Sequence, residues 1–462
     1  MAVASSRSAV FVDLDRTLLR CASGPVLHAA MVEGGVLDAG AHLPGDRHLY
    51  RFYDRFGETV PSIGLARLAV LAMRGRAAEA TLAAGERAVP ALMALVAPYA
   101  RRALAEHRAA GRQLMLATTS PAELVTPFAS AFGIDDVIAT RYQVSGGRFT
   151  GRLEGRFVWG AGKWWAVRQW CREAGVDAAA SHAYSDSVFD VPLLDSIGHP
   201  HALNPDPRLA VVAAIRRWPI ESWERPPGVP SLLGCEPYHA LRHLFRPGTF
   251  PGVRFDIEGL GHIPGSGPVL LAANHRSYFD VAPLGIVAAR MGRPVRFLAK
   301  REIFEAPVVG PLARALGGIP VDRTGGTTSP MADASAALEA GDAVLVLPQG
   351  TIPRGEAFFD PVLVGKTGTV RLAMAIGAPV VPIGLWGTEA VWPRSAKVPQ
   401  LGSPLRPLPV RVRIGPPIRF DRDDPTEATE RLMAIITSLL PPQARVRYRP
   451  SADEIARAMP SG

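Results

Sequence analysis

Cysteine is scarce in this 462-residue chain, with only Cys21, Cys171 and Cys235, widely separated. They form no CxxC pair and cannot all be paired within the chain, which argues against a disulfide framework and fits a reducing compartment. Long apolar runs are also missing, since none reaches the roughly 20 residues of a membrane span. The opening MAVASSRSAVFVDLD meets an acidic strand end before a signal-peptide core could form. The expected setting is the cytoplasm, with any membrane contact peripheral and on the inner face of the cell membrane. There is no internal repeat. Aromatic residues make up 7% of the chain, and no interleaved basic and aromatic motif points to nucleic acid as a partner.

What is present is an ordinary globular composition, 48% hydrophobic and 20% charged, on a chain longer than one core usually serves. Two domains are expected. The net charge of +9 favours an anionic partner but does not choose between nucleic acid, anionic lipid and phosphorylated small molecules. Arginine outnumbers lysine heavily, which reflects GC-rich coding as much as function.

Short buried-strand patterns at residues 9–14 (AVFVDL) and 113–120 (QLMLATTS) enclose a helix-rich stretch with little strand signal, read as an inserted cap over residues 22–108. Strands alternating with helices continue to about residue 223, the pattern of a parallel α/β sheet. ERPPGVPSLLG, residues 224–234, is rich in proline and glycine and is expected to be a linker. The alternation restarts with GPVLLAANH, PVRFLAK, AVLVLPQG, PVVPIGLW and VRVRIG, giving a second α/β domain over residues 235–445 and a loosely held tail at 446–462.

In the first half a strand ends in Asp13-Leu14-Asp15-Arg16-Thr17, and open parallel sheets place their sites at that edge. Thr118 closes the next buried strand with a hydroxyl, Lys163 opens a helix after a glycine, and Tyr184-Ser185-Asp186-Ser187-Val188-Phe189-Asp190 adds two carboxylates. In this order and spacing, residues 8–222 resemble the haloacid dehalogenase superfamily, in its phosphoserine phosphatase-like subclass with a helical cap. The resemblance implies a Rossmann-like domain in which Asp13 is the nucleophile forming an aspartyl-phosphate and Asp15 the general acid and base. Thr118 and Lys163 would hold the phosphoryl group. Mg²⁺ would lie among Asp13, Asp15, Asp186 and Asp190, an oxygen-rich set suited to that ion. Ser185 departs from the family's usual glycine, a change expected to lower turnover at most.

In the second half Asn274-His275-Arg276-Ser277-Tyr278-Phe279-Asp280 follows an apolar strand. A histidine with aspartate five residues on, across a strand-to-helix turn, can be oriented by the carboxylate and take a proton from an alcohol. Gly317 to Arg323 ends in an arginine suited to phosphate, and Leu347-Pro348-Gln349-Gly350-Thr351 offers a glycine turn with free N–H groups. These blocks, with Pro379 to Ile383, resemble the glycerol-phosphate and lysophosphatidate acyltransferase family over residues 250–420. The resemblance makes His275 the general base with Asp280 its partner, acyl-CoA or acyl-ACP the donor, and a lysophospholipid or glycerol-phosphate hydroxyl the acceptor. Arg323, Gln349, Gly350 and Thr351 would position the acceptor's phosphate. Gln349 stands for the family's glutamate and Ile352 for its arginine, with Arg354 the expected compensation. The other reading of the whole is one active acyltransferase domain beside a catalytically weak phosphatase domain that serves for binding or regulation. The run Glu236 to Arg246 has helical spacing suited either to anionic lipid or to packing on the second domain.

Overall fold

The computed structural model describes residues 7–38, 40, 57–226, 228–230, 236–307, 309–321 and 331–460. The chain divides into two compact units, Met1–Pro227 and Gly228–Gly462. Arg323, Cys235, part of the expected linker and part of the expected cap lie outside the described residues.

The first unit is built on a six-stranded sheet in the order β3-β2-β1-β6-β7-β8. The strands are β1 (Ala9–Val12), β2 (Gln113–Pro121), β3 (Asp136–Thr140), β6 (His182–Ser185), β7 (His199–Leu203) and β8 (Ile220–Glu221). Every pairing is parallel. Val12 stands level with Leu116 of β2 and Tyr184 of β6, so Asp13, Thr118 and Asp186 all emerge at the carboxyl edge of three adjacent strands. β1 is central and wholly buried, which explains its run of apolar residues without alternation. Helices Gly24–Glu33, Val60–Ala72 and Ala78–Leu95 follow β1, together with the hairpin β4 (Tyr142–Ser145) and β5 (Arg148–Leu153) from later in the chain. Helix Ala78–Leu95 lies so close to Ala122–Phe132 that a Cβ at Gly85 would come within 2.6 Å of the Glu123 carbonyl oxygen.

The second unit has a seven-stranded sheet in the order β12-β11-β13-β10-β14-β15-β9. These are β9 (Val253–Glu258), β10 (Val269–Ala273), β11 (Val295–Lys300), β12 (Ile319–Val321), β13 (Ala343–Val346), β14 (Val380–Trp386) and β15 (Leu408–Ile414). The sheet is mixed, because β15 runs antiparallel to β14 while β9 runs parallel to β15. β10 has no exposed residue, and it pairs in parallel with β13 and β14 on its two sides. Ala272 is level with Val346, so His275 and Gln349, each three residues further on, leave the sheet side by side.

The segment after Pro441 is better anchored than its composition suggests. Ser451 and Glu454 form a capping box on helix Ala452–Arg457, and Ala458 is buried against Ile352 and Phe358. Of the Glu236 to Arg246 run, only Tyr238–Leu241 is α-helical. The Tyr238 hydroxyl donates to the Ala288 and Arg293 carbonyls, and the Phe245 ring fills the space over Gly285, so both rings are used for packing. No helix among the described residues is long and apolar enough to cross a membrane.

Two candidate active sites

At the carboxyl edge of the first sheet Lys163 is 1% exposed and lies between two carboxylates, 2.8 Å from Asp13 Oδ1 and 2.6 Å from Asp190 Oδ2. It stands in the first turn of helix Ala161–Ala174. The close entry of that helix requires Gly162, where a Cβ would sit 2.2 Å from the Phe157 carbonyl oxygen. Burial works against the lysine's charge, but Asp13, Asp190 and Glu58 outweigh it and raise its pKa. Burial pushes the Asp13 carboxyl up to about 8 despite the lysine beside it. Asp186 is raised by burial too, against the pull of Arg16.

Asp186 Oδ2 and Asp190 Oδ1 are buried oxygens that accept no hydrogen bond, although Arg16 Nε lies 3.0 Å from the former. Buried acceptors without donors are costly, and such oxygens suit a hard cation. Asp13 and Asp186 leave adjacent strands and fit that role. The four carboxylates do not form one ligand set, however. Asp15 accepts a 2.5 Å bond from the Ser23 N–H, and Asp190 is held by Lys163 and by the Ser185 hydroxyl at 2.7 Å. Among the described residues no group of three or more His, Cys, Asp or Glu side chains is set to hold a metal. Thr118 is buried and its hydroxyl accepts from the Ser120 N–H. The Ser185 departure thus has a use, because its hydroxyl donates to Asp190 and accepts from the Ser187 N–H at 3.1 Å.

Two residues were not singled out from the sequence. Glu58 reaches the cluster from the cap region and accepts from Ser187 Oγ at 2.7 Å and Trp159 Nε1 at 3.2 Å. No local signal marks it, since its place depends on how the cap folds back. Arg16 has φ +58°, a strained value for a residue with a side chain, at the turn between Asp15 and Thr17.

In the second unit the turn after β10 is fixed from several sides. The Asn274 side chain donates to the Leu385 carbonyl at 3.0 Å and accepts from its N–H at 2.6 Å, tying the end of β10 to β14. The His275 N–H donates to Gln349 Oε1 at 2.7 Å. Asp280 Oδ2 accepts from His275 Nδ1 at 2.7 Å and from the Arg276 and Ser277 N–H groups at 2.7 and 3.0 Å. Ser277 caps the turn, and its hydroxyl donates to the Trp392 carbonyl at 2.7 Å. With Nδ1 donating to a carboxylate, Nε2 is the nitrogen left to accept a proton. Arg276 stacks on Phe358 and Trp386 and pairs with Glu389 at 2.9 Å, so it serves the walls of the site. Gln349 is nearly buried, Gly350 has φ +71° in the turn that follows, and Thr351 is exposed.

Comparison with known proteins agrees with this division. Residues 10–195 match the family model for haloacid dehalogenase-like hydrolases, and residues 254–386 match the acyltransferase model. A Streptomyces azureus protein named for inhibition of morphological differentiation is 32% identical over 48% of this chain and 80% of its own length. Phosphoserine phosphatase SerB1 of Mycobacterium tuberculosis is 32% identical over 47% of this chain and 71% of its own. A chloroplastic 1-acyl-sn-glycerol-3-phosphate acyltransferase of Brassica napus is 29% identical over 32% of this chain, which spans 42% of that relative's length. The chain is a two-domain enzyme whose first unit belongs to the haloacid dehalogenase-like hydrolases and whose second carries an acyltransferase domain.

Proposed function

We propose that the chain is a bifunctional enzyme of phospholipid biosynthesis, transferring an acyl group from acyl-CoA or acyl-ACP to a lysophosphatidate or glycerol-phosphate type hydroxyl and hydrolysing a phosphomonoester. The observation that carries the transfer is the 2.7 Å bond between His275 Nδ1 and Asp280, which orients Nε2 as the nitrogen to accept a proton. His275 Nε2 takes the acceptor's hydroxyl proton as the oxygen attacks the thioester carbonyl, and Asp280 stabilises the imidazolium that forms. The C–S bond breaks and the thiolate leaves with the proton. Gln349 fixes the backbone of His275, while Gly350, Thr351 and Arg323 are assigned to the acceptor's phosphate.

For hydrolysis, the buried Lys163 between Asp13 and Asp190 supports the reading. An Asp13 oxygen attacks phosphorus and the ester oxygen leaves with a proton from Asp15. Asp15 then deprotonates the water that cleaves the aspartyl-phosphate and restores Asp13. Thr118 and Lys163 hold the phosphoryl oxygens. Asp13 and Asp186 are assigned to Mg²⁺, with Asp190 in support, and the ion supplies charge neutralisation for a carboxylate meeting a phosphate dianion. The setting assigned is cytoplasmic, with peripheral contact at the inner face of the membrane where such acceptors reside.

Two assays test the reading separately. Thiol release from acyl-CoA in the presence of lysophosphatidate should vanish in His275→Ala, and equal rates would remove the histidine from the mechanism. Mg²⁺-dependent cleavage of a chromogenic phosphate should vanish in Asp13→Asn, and an inactive parent would leave the first unit a binding domain.

A further inference from the structure

The Gln-Gly-Thr turn lacks the arginine that its family places next, and Ile352 at that position is 2% exposed. A cation has nonetheless been brought there from another part of the chain. Arg394 is 7% exposed, and its Nη1 donates to the Ile352 carbonyl and, at 3.2 Å, to the Pro353 carbonyl. Its backbone belongs to the Trp392-Pro393-Arg394 turn, which the Ser277 hydroxyl holds through the Trp392 carbonyl. The Tyr278 ring also packs edge-on against Trp392, with centroids 5.7 Å apart. Arg394 therefore joins the turn that carries His275 and Asp280 to the turn that carries Gly350 and Thr351.

Among the described residues Arg394 makes no ion pair with a carboxylate, and its Nε is shielded from solvent and donates to nothing. A buried cation without a counterion is disfavoured, and a second arginine, Arg354, lies near enough to disfavour it further. Burial holds the Arg394 pKa below its ordinary value, with Tyr278 opposing the shift and the Arg354 charge adding to it. Two guanidiniums gathered at one turn suit a phosphate dianion, through charge-assisted and forked hydrogen bonds.

We propose that Arg394, with Arg354 beside it, is a specificity-determining cation that receives the phosphate monoester of the acyl acceptor, replacing the arginine absent at Ile352. This rests on the acyl-transfer reading above. It goes beyond that reading by placing the recognising charge on a residue over forty positions downstream of the glycine turn.

The test uses the full chain carrying Asp13→Asn, so that hydrolysis of phosphorylated substrates does not intrude. Arg394→Gln keeps hydrogen-bond donors for the Ile352 and Pro353 carbonyls while removing the charge. It should raise KM for lysophosphatidate about tenfold or more, with kcat changed less, and leave KM for acyl-CoA and the rate with uncharged monoacylglycerol within about twofold. Arg394→Lys should recover part of the loss. An unchanged lysophosphatidate KM in Arg394→Gln would show a purely structural clamp and overturn the proposal. A rise confined to acyl-CoA would assign the cation to the donor's phosphate instead and overturn it equally. Calorimetric titration with glycerol 3-phosphate decides the matter if neither acceptor is acylated. Binding weakened about tenfold in Arg394→Gln would then keep the anion site while the acyl-transfer reading fell, and equal or absent binding would end both.

Discussion

At Asp280 a single oxygen, Oδ2, accepts from an imidazole and from two backbone N–H groups, while Oδ1 is buried without a donor. The residue therefore both shapes the turn and selects the histidine tautomer. Asp280→Asn should separate geometry from charge, since an amide oxygen in the place of Oδ2 can still accept from the imidazole and both backbone N–H groups but no longer carries the charge that stabilises the imidazolium. Acyl transfer should fall about 10²-fold or more while thermal stability changes little, by analogy with carboxylate loss in other histidine-based sites. A near-normal kcat would show that the carboxylate only caps. His275 and Asp280 were readable as a pair because five residues and one turn join them, Asp13, Lys163 and Asp186 because each follows a strand or opens a helix, and Thr118 because it lies late in a buried strand. Glu58 and Arg394 were not, because neither lies in a motif. Glu58 comes in from the cap and Arg394 from a turn after β14, so only tertiary packing brings each to its site.

Among the elements, the edge of the first sheet opposite the aspartates carries a stack of imidazoles. His182 of β6 stacks on His199 of β7 with centroids 4.5 Å apart, and its Nδ1 lies 3.0 Å from His201 Nε2. His107 packs on His182 at 4.6 Å and bonds the Tyr184 hydroxyl, with Arg112 on its other nitrogen, while Glu221 holds His201. Burial lowers His107 to about 4 and His182 to about 3, helped by the neighbouring cations and rings. Because the unfolded chain binds these protons more readily, stability should be complete above pH 6.5 and fall as pH drops toward 4. The loss should be on the order of 1–2 kcal/mol after allowance for solvent screening. Thermal unfolding across that range should show it, His182→Gln should flatten it, and a parent with a flat profile would remove the imidazoles as the cause. β1 and β2 were legible as short apolar runs, whereas β7, with two histidines and a proline in five residues, was not. The C-terminal helix was not, because six residues with few apolar positions read as tail until Ala458 meets Ile352 and Phe358. Truncation after Val446 should therefore lower the melting temperature of the second unit by roughly 2–5 °C and impair acyl transfer, with phosphatase activity retained. An unaltered transferase would show the docked helix to be dispensable.

At the scale of the whole molecule, each unit has its own sheet and its own apolar core. Phe11, Met115, Ala183 and Leu194 lie in one core, and Leu271, Val287, Val381 and Val412 in the other. Their division at residues 227 and 228 falls in the proline-rich stretch that breaks periodicity, where composition alone marked a change. Each site is assembled wholly within one unit, since Lys163, Asp13 and Glu58 belong to the first and His275, Gln349 and Arg394 to the second. Damage to one chemistry should accordingly leave the other close to its original rate, because effects at sites built from separate sets of residues usually add independently. Asp13→Asn should abolish phosphate release while thiol release from acyl-CoA stays within about twofold, His275→Ala should do the reverse, and the double variant should show both losses with no additional one. A loss of acyl transfer in correctly folded Asp13→Asn would mean that the first unit's chemistry feeds the second, and would turn attention from two adjoining enzymes to one coupled sequence.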